Sequence, residues 1–276
     1  SLENLITAKL DYGLLDDPRN DVSVRLNSTV INVQNNKSAG GTVTVSYVRD
    51  NQLEKVSASK CILACNSNVI PFICPELPDK QKEALAFQVK VPILYTNVAV
   101  KNWEAWKNLG IGAMVCPGSY HIVSMLDFPV TYGNYEFSRN EREPIVIHME
   151  RFPHSYGSNL SAREQYKLGR YELLTTPFET IERNVREQLE SSLSEGGFNA
   201  AKDILGITVN RWSHGYSYWY NPLFDPIYDD YNDSRYPHII GRKKYGNITI
   251  ANADSAANAM LESAIEEAYR AVSELI

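Results

Sequence analysis

The chain has 276 residues, of which 43% are hydrophobic, and a formal net charge of −6. This length allows one large domain or two smaller domains, each with its own core. The acidic balance argues against a nucleic-acid partner, because phosphates attract basic surfaces. No run approaches the roughly 18 apolar residues of a membrane-spanning helix, so we expect a soluble protein, cytoplasmic or periplasmic.

The four cysteines do not have the spacing of a disulfide scaffold or of a metal site. Cys61 and Cys65 fall in a predicted strand, which would separate them by about 13 Å. Cys74 and Cys116 have no CxxC partner. The sequence also has no GxSxG, HExxH or P-loop motif, so we predict no metal site and interpret all four cysteines as packing residues.

The first 70 residues predict part of an α/β domain. Alternating apolar residues from Val22 to Leu26 lead into three extended runs, which are Thr29 to Val33, Thr42 to Val48 and Leu53 to Ala58. This pattern is typical of a three-stranded antiparallel meander. The apolar run from Cys61 to Cys65 predicts a strand buried on both faces. We therefore interpret the meander as an insertion within a layered α/β domain.

A proline-rich crossing from Pro71 to Pro78 changes the composition, and we place a domain boundary there. The second domain, residues 71–212, is predicted to hold a mixed sheet with helices beside it. Its first predicted elements are a helix from an Asp79 N-cap to Val89, a strand from Ile93 to Val100, a helix from Asn102 to Leu109, and strands near 121–126 and 144–150.

Two further helices in this domain have N-terminal signals. Ser161 and Glu164 match a capping box, and Thr176 and Glu179 match a second one with Pro177 at the first helical position. We expect the second helix to end at Gly196-Gly197 and to bury its apolar residues, which are Phe178, Ile181, Val185 and Leu189.

The densest unusual feature is the aromatic run from Trp212 to Tyr231, in which eight of 20 residues are aromatic. In one interpretation the rings cover an irregular loop. In the other, some of them line a pocket for a flat cofactor or a cationic ligand. Interleaved acids would strengthen the attraction for amines, and these are Asp225, Asp229, Asp230 and Asp233.

The last segment, residues 213–276, ends in a strand, a turn and a helix. Ile248 to Ala251 predicts a buried strand, and Asp254 is the acid in the turn that follows. The helix is expected to bury one stripe, formed by Leu261, Ala264, Ile265, Ala268, Val272 and Leu275. Such a helix N-terminus can face an acceptor-rich ligand, although the same elements suit a terminal helix docked on a sheet.

Three segments together resemble the flavin-containing amine oxidases. The strand, Asp254 turn and C-terminal helix are similar to that family's last FAD-binding motif, and Thr29 to Val33 is similar to its adenine-side strand. A third segment is similar to a strand whose aromatic residues face the flavin, and it reads ITVNRWSHGYSYWY. Two segments, NRW-HGY and ACNSNVIPFICPELPDKQKEAL, are most similar in sequence to the spermidine-dehydrogenase-like branch of that family.

This resemblance implies an α/β to α+β fold in which an incomplete FAD/NAD(P)-binding Rossmann-like domain is joined to a mixed-sheet substrate domain. It also implies cofactor contacts. Asp254 would accept hydrogen bonds from the ribityl hydroxyls of FAD, and backbone N–H groups near Met260 and Leu261 would face the flavin pyrimidine edge. Val30 would contact adenine through its backbone.

The implied reaction is hydride removal from the carbon beside an amine nitrogen, which gives an imine that water hydrolyses. Aromatic walls would exclude water and orient the C–H bond. The residues expected on the substrate side are Trp212, His214, Tyr216 and Tyr218. A small-molecule amine, such as the polyamine spermidine, is the expected substrate. The resemblance assigns no catalytic side chain.

The sequence departs from the family pattern in two places. Many relatives carry a lysine near the flavin in the strand that corresponds to Val91 to Val98, which here has none; this puts their lysine-bound water in doubt. The family's glycine-rich pyrophosphate turn would precede Ser1. We therefore expect that an N-terminal half completes the protein, and that these residues alone bind FAD weakly and do not turn over substrate.

Two other interpretations remain. The aromatic run from Trp212 to Tyr231 could serve a non-catalytic amine- or carbohydrate-binding domain that needs no flavin. The chain could instead be similar to carotenoid desaturases or protoporphyrinogen oxidases, although the acid-rich stretch from Asp225 to Asp233 argues against an apolar substrate tunnel.

Overall fold

The computed structural model describes residues 6–36, 41–129, 131, 133–155 and 157–276. The chain divides into two units. The central unit, named for its place in the sequence, is Lys90–Tyr216 with the described part of the first nine residues. The flanking unit combines Leu10–Val89 with Ser217–Ile276. No helix in the described ranges is long and apolar enough to cross a membrane.

The flanking unit contains the predicted meander, an antiparallel sheet of β1 (Thr29–Asn35), β2 (Val43–Arg49) and β3 (Gln52–Ala58). Asp50 and Asn51 both have positive φ, 49° and 61°. This suits the two-residue hairpin between β2 and β3, because type I′ turns need φ > 0 at both central positions.

The segment from Val22 to Leu26 does not extend the meander. It has no strand structure, and Val22 is 81% exposed, so the apolar alternation there does not mark a buried face.

The second sheet of the flanking unit is a parallel pair, β4 (Cys61–Leu63) and β10 (Ile248–Ile250). The residues of β10 are all buried. The prediction that β4 is buried on both faces is wrong, because Ile62 is 40% exposed. The strand also ends at Leu63, two residues before the predicted limit.

Among its described residues the flanking unit has four helices: α1 (Ile70–Ile73), α2 (Asp79–Phe87), α7 (Pro237–Gly241) and α8 (Leu261–Ser273). The N-cap of α2 is Pro78, not Asp79, which is the first helical residue and pairs with Lys82 at 2.9 Å. The core of the unit consists of Val33, Val43, Leu63, Ile70, Cys74, Leu77, Leu85, Ile248 and Ile250.

Helix α8 buries a different face from the predicted one, although Leu275 of the predicted stripe is buried and Ala264 is half-buried. Its buried residues are Glu267 and Ala271. The Glu267 carboxylate forms ion pairs with Arg242 and Arg270, and Arg270 also donates to the carbonyl of Ile250 in β10. The outward face carries an apolar stripe, the α8 stripe, whose residues are 45–75% exposed: Leu261, Ile265, Tyr269 and Val272.

The central unit is built on a five-stranded sheet in the order β6-β7-β8-β5-β9. Its strands are β5 (Ile93–Val100), β6 (Ala113–Val115), β7 (Val123–Asp127), β8 (Ile145–Arg151) and β9 (Ile204–Trp212). All pairings are antiparallel, where the sequence predicts a mixed sheet.

One face of this sheet is covered by helices. Besides the helical residues 6–7, the helices in the described part of the unit are α3 (Glu104–Leu109), α4 (Ala162–Thr175), α5 (Phe178–Leu193) and α6 (Ala200–Asp203). Leu94 and Val98 of β5 share a core with Val185 and Leu189 of α5. Because side chains alternate along a strand, Tyr95 and other intervening residues lie on the opposite side, which we call the open face.

The two capping boxes that the sequence predicts, at the starts of α4 and α5, have different outcomes. The Ser161–Glu164 capping box of α4 is confirmed. The second box is not formed, because Pro177 is the N-cap of α5 and makes no side-chain cap. Phe178 is 40% exposed and so lies outside the buried stripe, although the other three predicted residues of that stripe are buried.

Candidate functional site

The flanking unit forms a tight turn after β10. Asn252 caps a 3₁₀ turn, Ala253–Ala256, by accepting a hydrogen bond from Ser255 N at 2.8 Å. The same amide donates to the carbonyl of Cys65, just beyond β4. Ala257 ends the turn with φ of 47°, a left-handed conformation that is unfavourable for an L-residue. Asn252 therefore joins the turn to the end of the neighbouring strand.

Asp254 lies inside this turn and is 1% exposed. Its Oδ2 atom accepts a hydrogen bond from the backbone N–H of Ser67 at 2.9 Å. Ser67 begins a 3₁₀ turn that leads into α1. The predicted cofactor residue thus has a structural partner in this chain.

Met260 and Leu261 stand at the exposed N-terminus of α8, with exposures of 55% and 73%. Met260 is the N-cap and makes no side-chain cap. The partial positive charge of a helix N-terminus favours a negatively charged or acceptor-rich group nearby. Met260 and Leu261 are therefore accessible, and the helix N-terminus at which they lie favours a negatively charged or acceptor-rich group.

Val30, the residue predicted on the adenine side, is 39% exposed and lies in an apolar groove of about 450 Å³. Residues 61–65 all contribute to this groove, with Val33, Val45, Val69 and Ile73 completing its lining. Successive residues of a strand point to opposite faces, so a groove lined by five consecutive residues follows the edge of β4. We call it the β4 groove.

The fit of a nucleotide cofactor can be tested on the polar atoms near the turn. Within the described part of the chain, Ser67 Oγ, Asn68 Oδ1 and Asn258 Oδ1 are buried without a hydrogen-bond partner. Buried polar groups are normally paired, and hydroxyl or amide groups of a ligand would satisfy these atoms. Together with the α8 N-terminus, this chemistry fits one side of a hydroxyl-rich nucleotide.

The open face of the central unit carries an aromatic pair. The Tyr95 and Tyr216 hydroxyls are 2.7 Å apart, and the Phe152 ring stacks on Tyr216 with centroids 6.5 Å apart. Burial, followed by the hydrogen bond to Tyr216, raises the pKa of Tyr95. The Tyr95 hydroxyl is therefore neutral over the physiological pH range.

Polar side chains lie beside this pair because of the strand register. Tyr95 is opposite Glu150, and Asn97 is opposite His148. His148 Nδ1 is 2.9 Å from Asn97 Oδ1, and His148 Nε2 is 3.3 Å from Glu150 Oε1. The sequence analysis missed Tyr95, His148 and Glu150. The alternation within each strand could have placed them on one face, but only the register brings them together.

Three predicted substrate-side residues lie at or just beyond the end of β9. Trp212 is opposite Ile93 and 55% exposed, and His214 is exposed with its Nδ1 atom 2.9 Å from Ser213 Oγ. Tyr216 joins the aromatic pair described above. Gly215 allows this path, since a Cβ there would lie 2.5 Å from Ile93 Cδ1.

Tyr218, the fourth predicted substrate-side residue, belongs to the flanking unit and is 2% exposed. Its hydroxyl donates to Asp225, and its ring makes edge contacts with Phe87 and Tyr220. The cluster continues through Tyr231, Tyr236 and His238. This part of the aromatic run packs as a core, which supports the interpretation that its rings cover an irregular segment.

No group of three or more potential metal ligands occurs among the residues that the structure describes. No known protein family matches the sequence. No curated protein matches it either.

The fold, however, is found in solved amine oxidases. A structure of putrescine oxidase bound to putrescine matches with a TM-score of 0.55 and 14% identity, over 91% of this chain and 49% of that chain. Cyclohexylamine oxidase from Brevibacterium oxydans IH-35A matches with a TM-score of 0.59 and 12% identity, over 89% and 47%. The chain thus spans about half the length of these structures, and the predicted fold class is confirmed.

Proposed function

We propose that this chain is the C-terminal portion of an FAD-dependent oxidoreductase that oxidises an amine. The observation that carries the proposal is the open face of the central unit. There Tyr95 is paired with Glu150 across two strands and contacts Tyr216, on which Phe152 stacks. Ring faces and a carboxylate attract ammonium groups. This arrangement occurs in a fold that solved amine oxidases share.

The flanking unit would hold one side of FAD. In this proposal Asp254 faces the ribityl hydroxyls, the N–H groups at Met260 and Leu261 face the pyrimidine edge, and Val30 lies on the adenine side. Bound FAD supplies the hydride acceptor of the reaction. The α8 N-terminus favours the negative charge that accumulates at that edge during reduction.

The central unit would bind the amine. Trp212, Tyr216 and Tyr95 offer ring faces that exclude water and orient the C–H bond beside the nitrogen, and His214 lies at the exposed margin. Because the Tyr218 ring is buried, we assign it a positioning role in its own unit. A polyamine such as spermidine is the substrate class that the sequence resemblance favours.

Another part of the protein would complete the cofactor site. The exposed α8 stripe and the apolar β4 groove support this, since such surfaces are normally covered in stable proteins. We propose that an N-terminal half with a glycine-rich turn packs on them. The 276 residues alone would then bind FAD weakly and have no turnover.

The test is to produce the chain both alone and joined to the coding sequence that precedes it. We expect flavin absorbance near 450 nm only in the longer protein, and bleaching of that absorbance by spermidine or butylamine without oxygen. Trp212→Ala should slow the bleaching, whereas Trp219→Ala, an exposed ring in the flanking unit, should not. A flavin-loaded protein that no amine reduces would contradict the proposal.

A second candidate is a non-catalytic module that binds amines or carbohydrates. It is favoured by Trp219 and Phe224, which are 66% and 63% exposed. Calorimetry with the 276-residue chain separates the two, because a binding module needs no flavin. Binding of a sugar or amine that is lost in Trp219→Ala would favour the module.

A further inference from the structure

The Glu150 carboxylate is largely buried, and few charges or hydrogen bonds replace the water that it loses. Its side chain is only 20% exposed. Among the residues that the structure describes, the one basic side chain within ion-pairing distance is His148, whose Nε2 atom lies 3.3 Å from Glu150 Oε1. Desolvating a carboxylate is unfavourable unless charges or hydrogen bonds replace the lost water, so the number of donors that reach Glu150 matters.

His148 cannot fully satisfy this carboxylate. Its Nδ1 atom is 2.9 Å from Asn97 Oδ1, and its Nε2 atom faces Glu150. Only the Nε2 nitrogen faces Glu150, so His148 donates at most one hydrogen bond to a carboxylate that has two acceptor oxygens. Glu150 therefore keeps acceptor capacity on the open face.

The surroundings of Glu150 suit an organic cation. Tyr95 lies opposite it in the register, and the Tyr95 ring is 5.1 Å from that of His148. Rings beside a single carboxylate bind ammonium groups, whereas a metal ion needs several ligands, and no such cluster exists in the part of the chain that the structure describes.

We propose that Glu150 binds a second ammonium group of the substrate, remote from the carbon that is oxidised, so that the site selects diamines and polyamines over monoamines. This inference rests on the proposed function and adds the residue that would set the substrate class. Tyr95 and Tyr216 would flank the methylene chain between the two nitrogens.

The test compares 1,4-diaminobutane with butylamine, which differ by one terminal ammonium group. In the full-length, flavin-loaded enzyme, Glu150→Gln should lower the diamine-to-monoamine ratio of kcat/KM by about ten- to hundredfold. Glu150→Asp should retain part of the preference. The control is Asp127→Asn. Asp127 is an exposed acid in β7, four residues from Val123, which pairs with Glu150. This substitution should leave the ratio unchanged.

The outcomes separate this inference from the proposed function. If the enzyme oxidises amines but the wild type and Glu150→Gln have the same diamine-to-monoamine ratio of kcat/KM, the role of Glu150 is overturned and the proposed function is not. If no amine reduces the flavin, the proposed function fails, and calorimetry with 1,4-diaminobutane then decides. The cation site is supported if the wild type binds 1,4-diaminobutane and Glu150→Gln binds it at least tenfold more weakly. It is overturned if the wild type does not bind the diamine, or if both proteins bind it equally.

Discussion

Asp254 and Ser67 are joined by a hydrogen bond of 2.9 Å between a buried carboxylate oxygen and a buried backbone N–H. The bond connects the turn after β10 to the segment after β4, and these regions are 187 residues apart in sequence. Because Asp254 is also the proposed ribityl ligand, its substitution should affect both folding and cofactor binding.

We predict that Asp254→Ala lowers the free energy of unfolding by about 1–3 kcal/mol, because the Ser67 N–H would lose its acceptor in a buried position. Urea unfolding of the 276-residue chain measures this. Asp254→Asn keeps an acceptor oxygen and should be less destabilising. The exposed Asp229→Ala is the control, and an Asp254→Ala variant as stable as that control would refute the structural role.

Gly169→Ala should destabilise the central unit although alanine favours helices. A Cβ at this position of α4 would lie 2.1 Å from the Pro153 carbonyl oxygen. The resulting displacement costs about 1–3 kcal/mol, which exceeds the propensity gain of about 1 kcal/mol. Gly206→Ala is the matched control, because nothing lies within 4 Å of its Cβ. Higher stability of Gly169→Ala in urea unfolding would contradict this contact.

The histidine in the aromatic cluster predicts a pH dependence. Burial, then the nearby Arg242, lowers the pKa of His238 to about 4, and an unfolded histidine has a pKa of about 6.5. Between these values the unfolded chain binds more protons, so the unfolding free energy falls as the pH decreases from about 6.5 to about 4.

An NMR titration measures this directly. The His238 ring signal, assigned by its loss in His238→Gln, should stay in the neutral form down to about pH 4, and this variant should show a smaller fall in stability over the same interval. Titration near pH 6.5 would show that the ring is accessible to water.

Hydrogen exchange tests the proposed covering of the flanking unit. In the longer protein, peptides that span residues 61–65 and 261–272 should exchange more slowly than in the 276-residue chain, because a partner would bury the β4 groove and the α8 stripe. The peptide of β3 is the internal control. Equal exchange in both proteins would show that these surfaces remain open. Ile265→Lys with Tyr269→Lys should reduce the protection of the second peptide.

The elements that sequence predicts well depend on local chemistry. The bounds of β5, the Ser161–Glu164 capping box and the meander each arise from alternation or capping within a few residues. The same local information located the turn that contains Asp254.

The features that the sequence could not predict depend on contacts between residues that are distant along the chain. Helix α8 buries Glu267, which pairs with Arg242, 25 residues earlier, whereas the apolar periodicity alone predicts that a different face is buried. Tyr95 and Glu150 meet only through strand register. Tyr218 and Tyr216 are two residues apart, yet one is buried and the other is 43% exposed.

The parallel pairing of β4 with β10 has a consequence for synthesis on the ribosome. The residues of the central unit have all been made once residue 216 is complete, whereas β4 must wait until residue 250 emerges. Domains fold as units during elongation, so the central unit can fold while β4 still lacks its β10 partner. In that interval the unpaired edge of β4 is open to chaperones and to wrong partners, so we expect the yield to depend on translation speed beyond residue 216.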